Sequence, residues 1–86
     1  MKLWLLTQRD NNGYDTYDSC IVAAETELDA KNIGPVNYRD EPEWDEHGKA
    51  TDKYSAWARS RDRVTAECIG TTEREAGLIL ASFNAG

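Results

Sequence analysis

Hydrophobic positions in this chain concentrate at its two ends. Residues 2–8 read Lys2-Leu3-Trp4-Leu5-Leu6-Thr7-Gln8, and residues 77–85 read Gly77-Leu78-Ile79-Leu80-Ala81-Ser82-Phe83-Asn84-Ala85. Chain ends fray unless a sheet ties them down, so the pattern predicts two terminal strands paired side by side at the sheet centre. Between them, residues 14–24 alternate polar and aromatic positions and then run apolar through Cys20-Ile21-Val22-Ala23-Ala24, a further strand. Asn12-Gly13 before it is a hairpin signal, because both residues accept positive φ. Residues 56–70 predict a long strand, with Val64, Ala66 and Cys68 on one side and Thr65, Glu67 and Ile69 on the other.

One short helix is well punctuated. Thr26 stands where a side-chain oxygen caps the first turn, and Asp29 follows three residues later. Glu27 and Asp29 set negative charge at the positive end of the helix dipole. Gly34 and Pro35 stop the helix. Leu28, Ala30 and Ile33, joined by Ala24, form its expected apolar stripe. The predicted fold is α+β: a mainly antiparallel sheet of about four strands with one short helix on a face, in the order β-β-α-β-β. It forms a single domain, residues 1–86, with hairpins at both ends.

The apolar positions exceed what a one-sided sheet needs. Leu3, Leu5, Ile21, Val64, Ala66, Ile79 and Phe83 are expected beneath the helix. Trp4, Leu6, Ile69, Leu78 and Leu80 then fall on the opposite face, which should alternate with polar residues if water covers it. Either that face is an interface, homodimeric or with a target, or the chain folds back over it with Trp44 or Tyr54 as a lid.

Residues 34–55 show no period, and unstructured stretches of that length are uncommon in a compact domain. A short strand at 36–39 and a turn at Glu46-His47-Gly48-Lys49 are expected within them. Asp40, Glu41, Glu43, Asp45 and Glu46 make an anionic patch around Trp44. Such a patch fits a basic partner surface with the tryptophan as anchor. It lacks the spacing of a calcium loop. Further on, Trp57, Arg59, Arg61 and Arg63 recur at spacing two, and on an extended strand they share one face as an anion-binding stripe.

Charge narrows the partners. The formal net charge is −6, with 40% hydrophobic and 30% charged residues. This argues against general nucleic-acid affinity, which needs a local excess of Lys and Arg, and favours a protein with a basic surface. Cys20 and Cys68 sit in apolar runs and read as buried free thiols, bridged only if their strands are adjacent. His47 has no nucleophile beside it, so the sequence points to a non-enzymatic protein with no cofactor and no metal. No run is long enough to span a membrane, and the opening residues lack the apolar length of a signal peptide. A cytoplasmic location is expected.

The opening KLWLLTQ, the stretch GYDTYDS, the strand-to-helix entry VAAETELDA and the closing ASFNAG resemble small uncharacterised bacterial, phage and prophage proteins. They cover about half the chain and leave out the acidic middle. More loosely, two strands, a helix opening with Ala24, Thr26 and Ala30, and two more strands are similar to compact phage anti-CRISPR proteins. The resemblance implies an inhibitor that binds a CRISPR effector complex in the host bacterial cytoplasm. It transfers no catalytic residue. The alternatives are a self-associating structural domain, dimeric through the second sheet face, and a nucleic-acid-binding module using the arginine stripe.

Overall fold

A computed structural model describes residues 1–11, 16–35, 44–50 and 57–84. The expected turn at Asn12-Gly13, the strand at 36–39, Tyr54 and the carboxylates Asp40, Glu41 and Glu43 lie outside the described residues. The chain is α+β in the order β-β-α-β-β, as its patterning predicts. Strand β1 (Lys2–Thr7) pairs antiparallel with β2 (Thr16–Ala24), helix α1 (Glu27–Ile33) follows, and β3 (Thr65–Thr71) and β4 (Gly77–Asn84) complete the sheet. The four strands are ordered β3-β1-β2-β4.

That order corrects the expected pairing of the two terminal strands. A strand has two hydrogen-bonding edges, and β1 uses one for β2 and the other for β3. Only the first terminal strand is therefore central; β4 lies at the edge beyond β2. The link between β3 and β4 is not a hairpin but a crossover along one end of the sheet. It joins Thr71, opposite Lys2, to Gly77, opposite Ala23. Three strand spacings amount to about 14 Å, and six extended residues reach about 20 Å. Thr72 fastens this link at β1, donating its backbone N–H to the Met1 carbonyl at 2.9 Å, while the Met1 ammonium donates to the Thr72 carbonyl at 3.3 Å.

The helix begins as predicted, with the Thr26 hydroxyl accepting from the Asp29 backbone N–H at 3.1 Å. Gly34, at φ 64°, ends it in the left-handed region where glycine carries no Cβ penalty. Ala30 is buried and Ile33 packs on the core, but Leu28 is 55% exposed, against expectation. Leu28 lies two residues from Ala30, about 200° around the helix, so both cannot face the sheet.

Register decides which sheet face the helix covers. Directly opposed residues share a face. One face carries the rows Cys68–Trp4–Val22–Leu78 and Ala66–Leu6–Cys20–Ala81. Leu6, Cys20 and Val22 from these rows join Ala24, Ala30, Trp44, Trp57, Ala58 and Val64 in one buried cluster, with Trp4, Ala66, Leu78 and Ala81 packed against it. The helix therefore covers the face of Trp4, Leu6 and Leu78, which reverses the expected assignment for β1 and β2, while Val64 and Ala66 join the core as expected. A period of two separates a strand into two sets without saying which set faces inward. The Trp4 indole N–H finds a partner on this side, donating to the Ala24 carbonyl at 3.1 Å.

Two further tryptophans complete the cover. Trp44 is buried and its indole N–H donates to the Lys31 carbonyl at 2.7 Å, satisfying an otherwise orphaned group of the last helical turn. Residues 44–50 form a tight turn, as expected around Gly48, which holds φ 75°. The turn is stitched to the following segment: Ala50 N–H donates to the Arg59 carbonyl at 2.8 Å and Arg61 N–H to the Gly48 carbonyl at 2.7 Å. The far side of Trp57 is tied to the β1–β2 connection. Asn11 Nδ2 donates to the Trp57 carbonyl at 3.0 Å, and the Asp10 carboxylate accepts from the Arg59 backbone N–H at 2.9 Å. Gln8, itself buried, holds that connection by donating Nε2 to the carbonyls of Asn11 and Tyr17 and accepting from Asn11 N–H.

Candidate protein-binding surface

The other sheet face consists of three rows that each cross all four strands. They are Gly70–Leu3–Ala23–Gly77, Glu67–Leu5–Ile21–Leu80 and Thr65–Thr7–Ser19–Ser82. The middle row sets three branched aliphatic side chains edge to edge and ends on a carboxylate. The outer rows differ in kind: one has glycine at both ends, the other bears four hydroxyls. The described helix and tryptophans pack on the opposite side of the sheet. Leu80 is 63% exposed, whereas Leu3, Leu5 and Ile21 are half-buried and Ala23 is fully buried. Ile69 adds 45% exposure beside this face, where it is the extra residue of a bulge between the Leu3 and Trp4 pairings.

The expected interface of Trp4, Leu6, Ile69, Leu78 and Leu80 is thus divided. Leu6 is fully buried, and Trp4 and Leu78 pack on the same core; Ile69 and Leu80 alone of the five are exposed. Leu3, Leu5 and Ile21 take the places assigned to Trp4, Leu6 and Leu78. Strict alternation was the signal for them, read with the opposite parity.

The acidic patch is also changed. Trp44 is no exposed anchor, since its ring is in the core. Asp45 and Glu46 are exposed. The Asp45 carboxylate accepts from the backbone N–H groups of His47 at 2.8 Å and Lys49 at 3.0 Å, so it builds its own turn. These bonds, that from Lys49 first, hold its pKa below the ordinary value. Glu46 lies 3.4 Å from the His47 ring nitrogen.

The arginine stripe does not form. Trp57 is buried, Ser60 bridges to Lys49, and residues Arg61–Arg63 make a 3-10 turn before β3 begins at Thr65. The Ser60 hydroxyl donates to the Asp62 carboxylate at 2.5 Å and Val64 N–H donates to the Arg61 carbonyl at 3.1 Å. These local bonds break the two-residue period on which a common face depends. Arg61 turns toward the helix and donates to Asn32 Oδ1 at 3.2 Å, while Arg59 and Arg63 are exposed.

A shallow cleft of about 300 Å³ lies between α1 and the 3-10 turn, lined by Glu27, Leu28, Lys31, Arg61 and Asp62. That is the low end for a ligand pocket. Its charges are engaged locally, with Lys31 3.6 Å from Glu27 and Asp62 bound to Ser60. Cys20 is buried, as expected, but Cys68 is exposed; neither forms a disulfide, and β1 separates their strands. Among the described residues no group of three or more His, Cys, Asp or Glu is placed to hold a metal ion, and no helix is long and apolar enough to cross a membrane. Compared with known proteins, the chain matches no family model, no curated protein and no solved structure.

Proposed function

We propose that this chain is a non-enzymatic protein-binding domain, and in its specific form a phage or prophage inhibitor that occupies a basic surface of a CRISPR effector complex in the bacterial cytoplasm. The observation that supports a binding role is the Leu5–Ile21–Leu80 row, an aliphatic strip ending in the exposed Leu80. Glu67 continues the strip, and the chain around it carries net charge −6. An apolar centre with a charged margin is the anatomy of a non-obligate protein interface. The sign of the charge selects a basic partner and speeds its encounter.

The test is a plaque assay on a host whose CRISPR system is active, with the chain expressed from a plasmid. Plaque formation should be restored by the wild type and lost with Leu80→Asp, a substitution at an exposed position that leaves the buried cluster untouched. Unchanged immunity across the effector types assayed would sink the inhibitor. Restoration by Leu80→Asp as strong as by the wild type would show that the partner sits elsewhere. The exposed pair Asp45 and Glu46 supplies the contrast: reversing both charges tests the remaining described part of the acidic patch.

A further inference from the structure

Strand β4 is an edge strand, with β2 on one side and no described strand on the other. Its sequence, Gly77-Leu78-Ile79-Leu80-Ala81-Ser82-Phe83-Asn84, contains no charged residue and no proline. Every other described helix or strand carries a charge: Lys2 on β1, Asp18 on β2, Glu67 on β3, and several on α1 and the 3-10 turn. Exposed edges are ordinarily protected by charge or proline, because their unpaired N–H and C=O groups template another strand. The β3 edge has Glu67; β4 lacks charge and proline, its interruption being a one-residue bulge at Ile79 between the Leu78 and Leu80 pairings, and it presents Leu80 at 63% exposure.

We infer that the chain forms a closed dimer with a second copy of itself by antiparallel pairing of β4 with β4 across a two-fold axis. An antiparallel edge is self-complementary in its backbone hydrogen bonds, which is what a two-fold contact requires. Charge selects the same orientation. The link before β4 carries Glu73, Arg74 and Glu75. Parallel pairing would set the two Glu75 residues within about one strand spacing, roughly 5 Å. Antiparallel pairing sends them to opposite ends of an eight-residue strand, roughly 27 Å apart at the rise of an extended chain. That exceeds the ~8 Å screening length at physiological salt. Asp18 stands one strand further in, on β2. For a chain of net charge −6, β4 is the described element along which two copies meet without opposing carboxylates. The Leu5–Ile21–Leu80 row then continues into the second copy and doubles the apolar strip.

Sedimentation equilibrium of the purified full chain, from low micromolar to near-millimolar concentration, tests this together with amide hydrogen exchange. The expected mass rises from one chain to two and no further, and exchange along Leu78–Ser82 slows with concentration. Ser82→Lys puts a charge on the edge at an exposed position and should weaken the dimer by about tenfold or more, the equivalent of ~1.4 kcal/mol; Ser82→Thr should leave it intact. A single-chain mass at every concentration overturns the inference. So does growth beyond two chains, which would mean β4 pairing with β3 in an open filament. A dimer whose β4 amides exchange at the same rate overturns it as well, by moving the contact elsewhere. The experiment uses no other protein, so a monomeric result leaves the binding role above standing.

Discussion

The two faces of the sheet begin from nearly the same residues and end differently. On one, Trp4, Leu6, Cys20 and Val22 disappear under α1, Trp44 and Trp57; on the other, Leu3, Leu5, Ile21 and Leu80 remain beside Glu67 and a row of hydroxyls. The helix alone does not make the difference. Seven residues span about 10 Å, against a sheet about 14 Å across and more than 20 Å along its strands. The missing cover comes from two indoles outside the strands and the helix, one locked to the helix end and one to the β1–β2 connection. A small domain has few ways to bury a whole sheet face, and this one spends all three tryptophans on the same side.

The largest effect should come from deleting volume on each face in turn. Leu6 is fully buried, so Leu6→Ala removes transfer energy and leaves a cavity, a loss of about 2–5 kcal/mol. Leu80→Ala, at 63% exposure, should stay within about 0.5 kcal/mol of the wild type. Urea denaturation of the two variants at low protein concentration measures both. Equal losses would erase the distinction between the faces.

The next effect tests how the cover is fastened. Trp44→Phe keeps most of the ring in the core but removes the N–H that donates to the Lys31 carbonyl. A net loss of about 1 kcal/mol is expected, the ordinary value for one hydrogen bond. Thr26→Ala loosens the other end of the same helix by freeing the Asp29 N–H, again by about 1 kcal/mol. Helicity measured by circular dichroism at partial denaturation should fall with Thr26→Ala. If Trp44→Phe costs nothing, the indole is a passive filler and the helix alone defines the covered face.

Strands β1, β2 and β4, the helix and its caps are legible because each follows from local chemistry, alternation for β1 and β2, Thr26 and Gly34 for α1; of the long strand expected over 56–70 only the part from Thr65 forms. The side of the sheet on which things pack was not legible, since alternation has no preferred parity and both parities of β1 are aliphatic or aromatic. The strand order was misread because apolar density was equated with centrality; β4 is as apolar as β1 and still lies at the edge. Trp57 departs from its expected place for a related reason, and Trp44 leaves the acidic patch for the alternative expected of it, a lid over the face of Trp4, Leu6 and Leu78. Each sits among charges in the sequence, but Gly48, Ser60 and Asp62 turn the chain so that the charges face out and the rings face in. Of the five residues expected on an exposed strip, Leu80 and Ile69 are exposed, while Trp4, Leu6 and Leu78 pack on the core and Leu3, Leu5 and Ile21, half-buried, stand on the other face.

The smallest effect concerns the turn that holds Trp44 in place. Asp45 accepts from the backbone N–H groups of Lys49 and His47, and these bonds, with weaker help from nearby positive charge, lower its pKa from the usual 3.8. A carboxylate whose pKa is depressed in the folded state stabilises that state above its unfolded pKa, and the contribution is lost as pH falls through the folded value. Asp62 is lowered in the same direction by the Ser60 hydroxyl, so an acid titration of the wild type alone mixes the two. The separation comes from Asp45→Asn, which keeps one acceptor oxygen and removes the charge. Its stability deficit should be constant near neutral pH and close as the pH drops below about 4. Because the group is fully exposed, the deficit should be small, and it should appear first as faster exchange of the Lys49 and His47 amides. A deficit that grows toward acid would mean the carboxylate is not what closes the turn, and the fastening of Trp44 would rest on the Lys31 carbonyl and the Ala50 and Gly48 bridges alone.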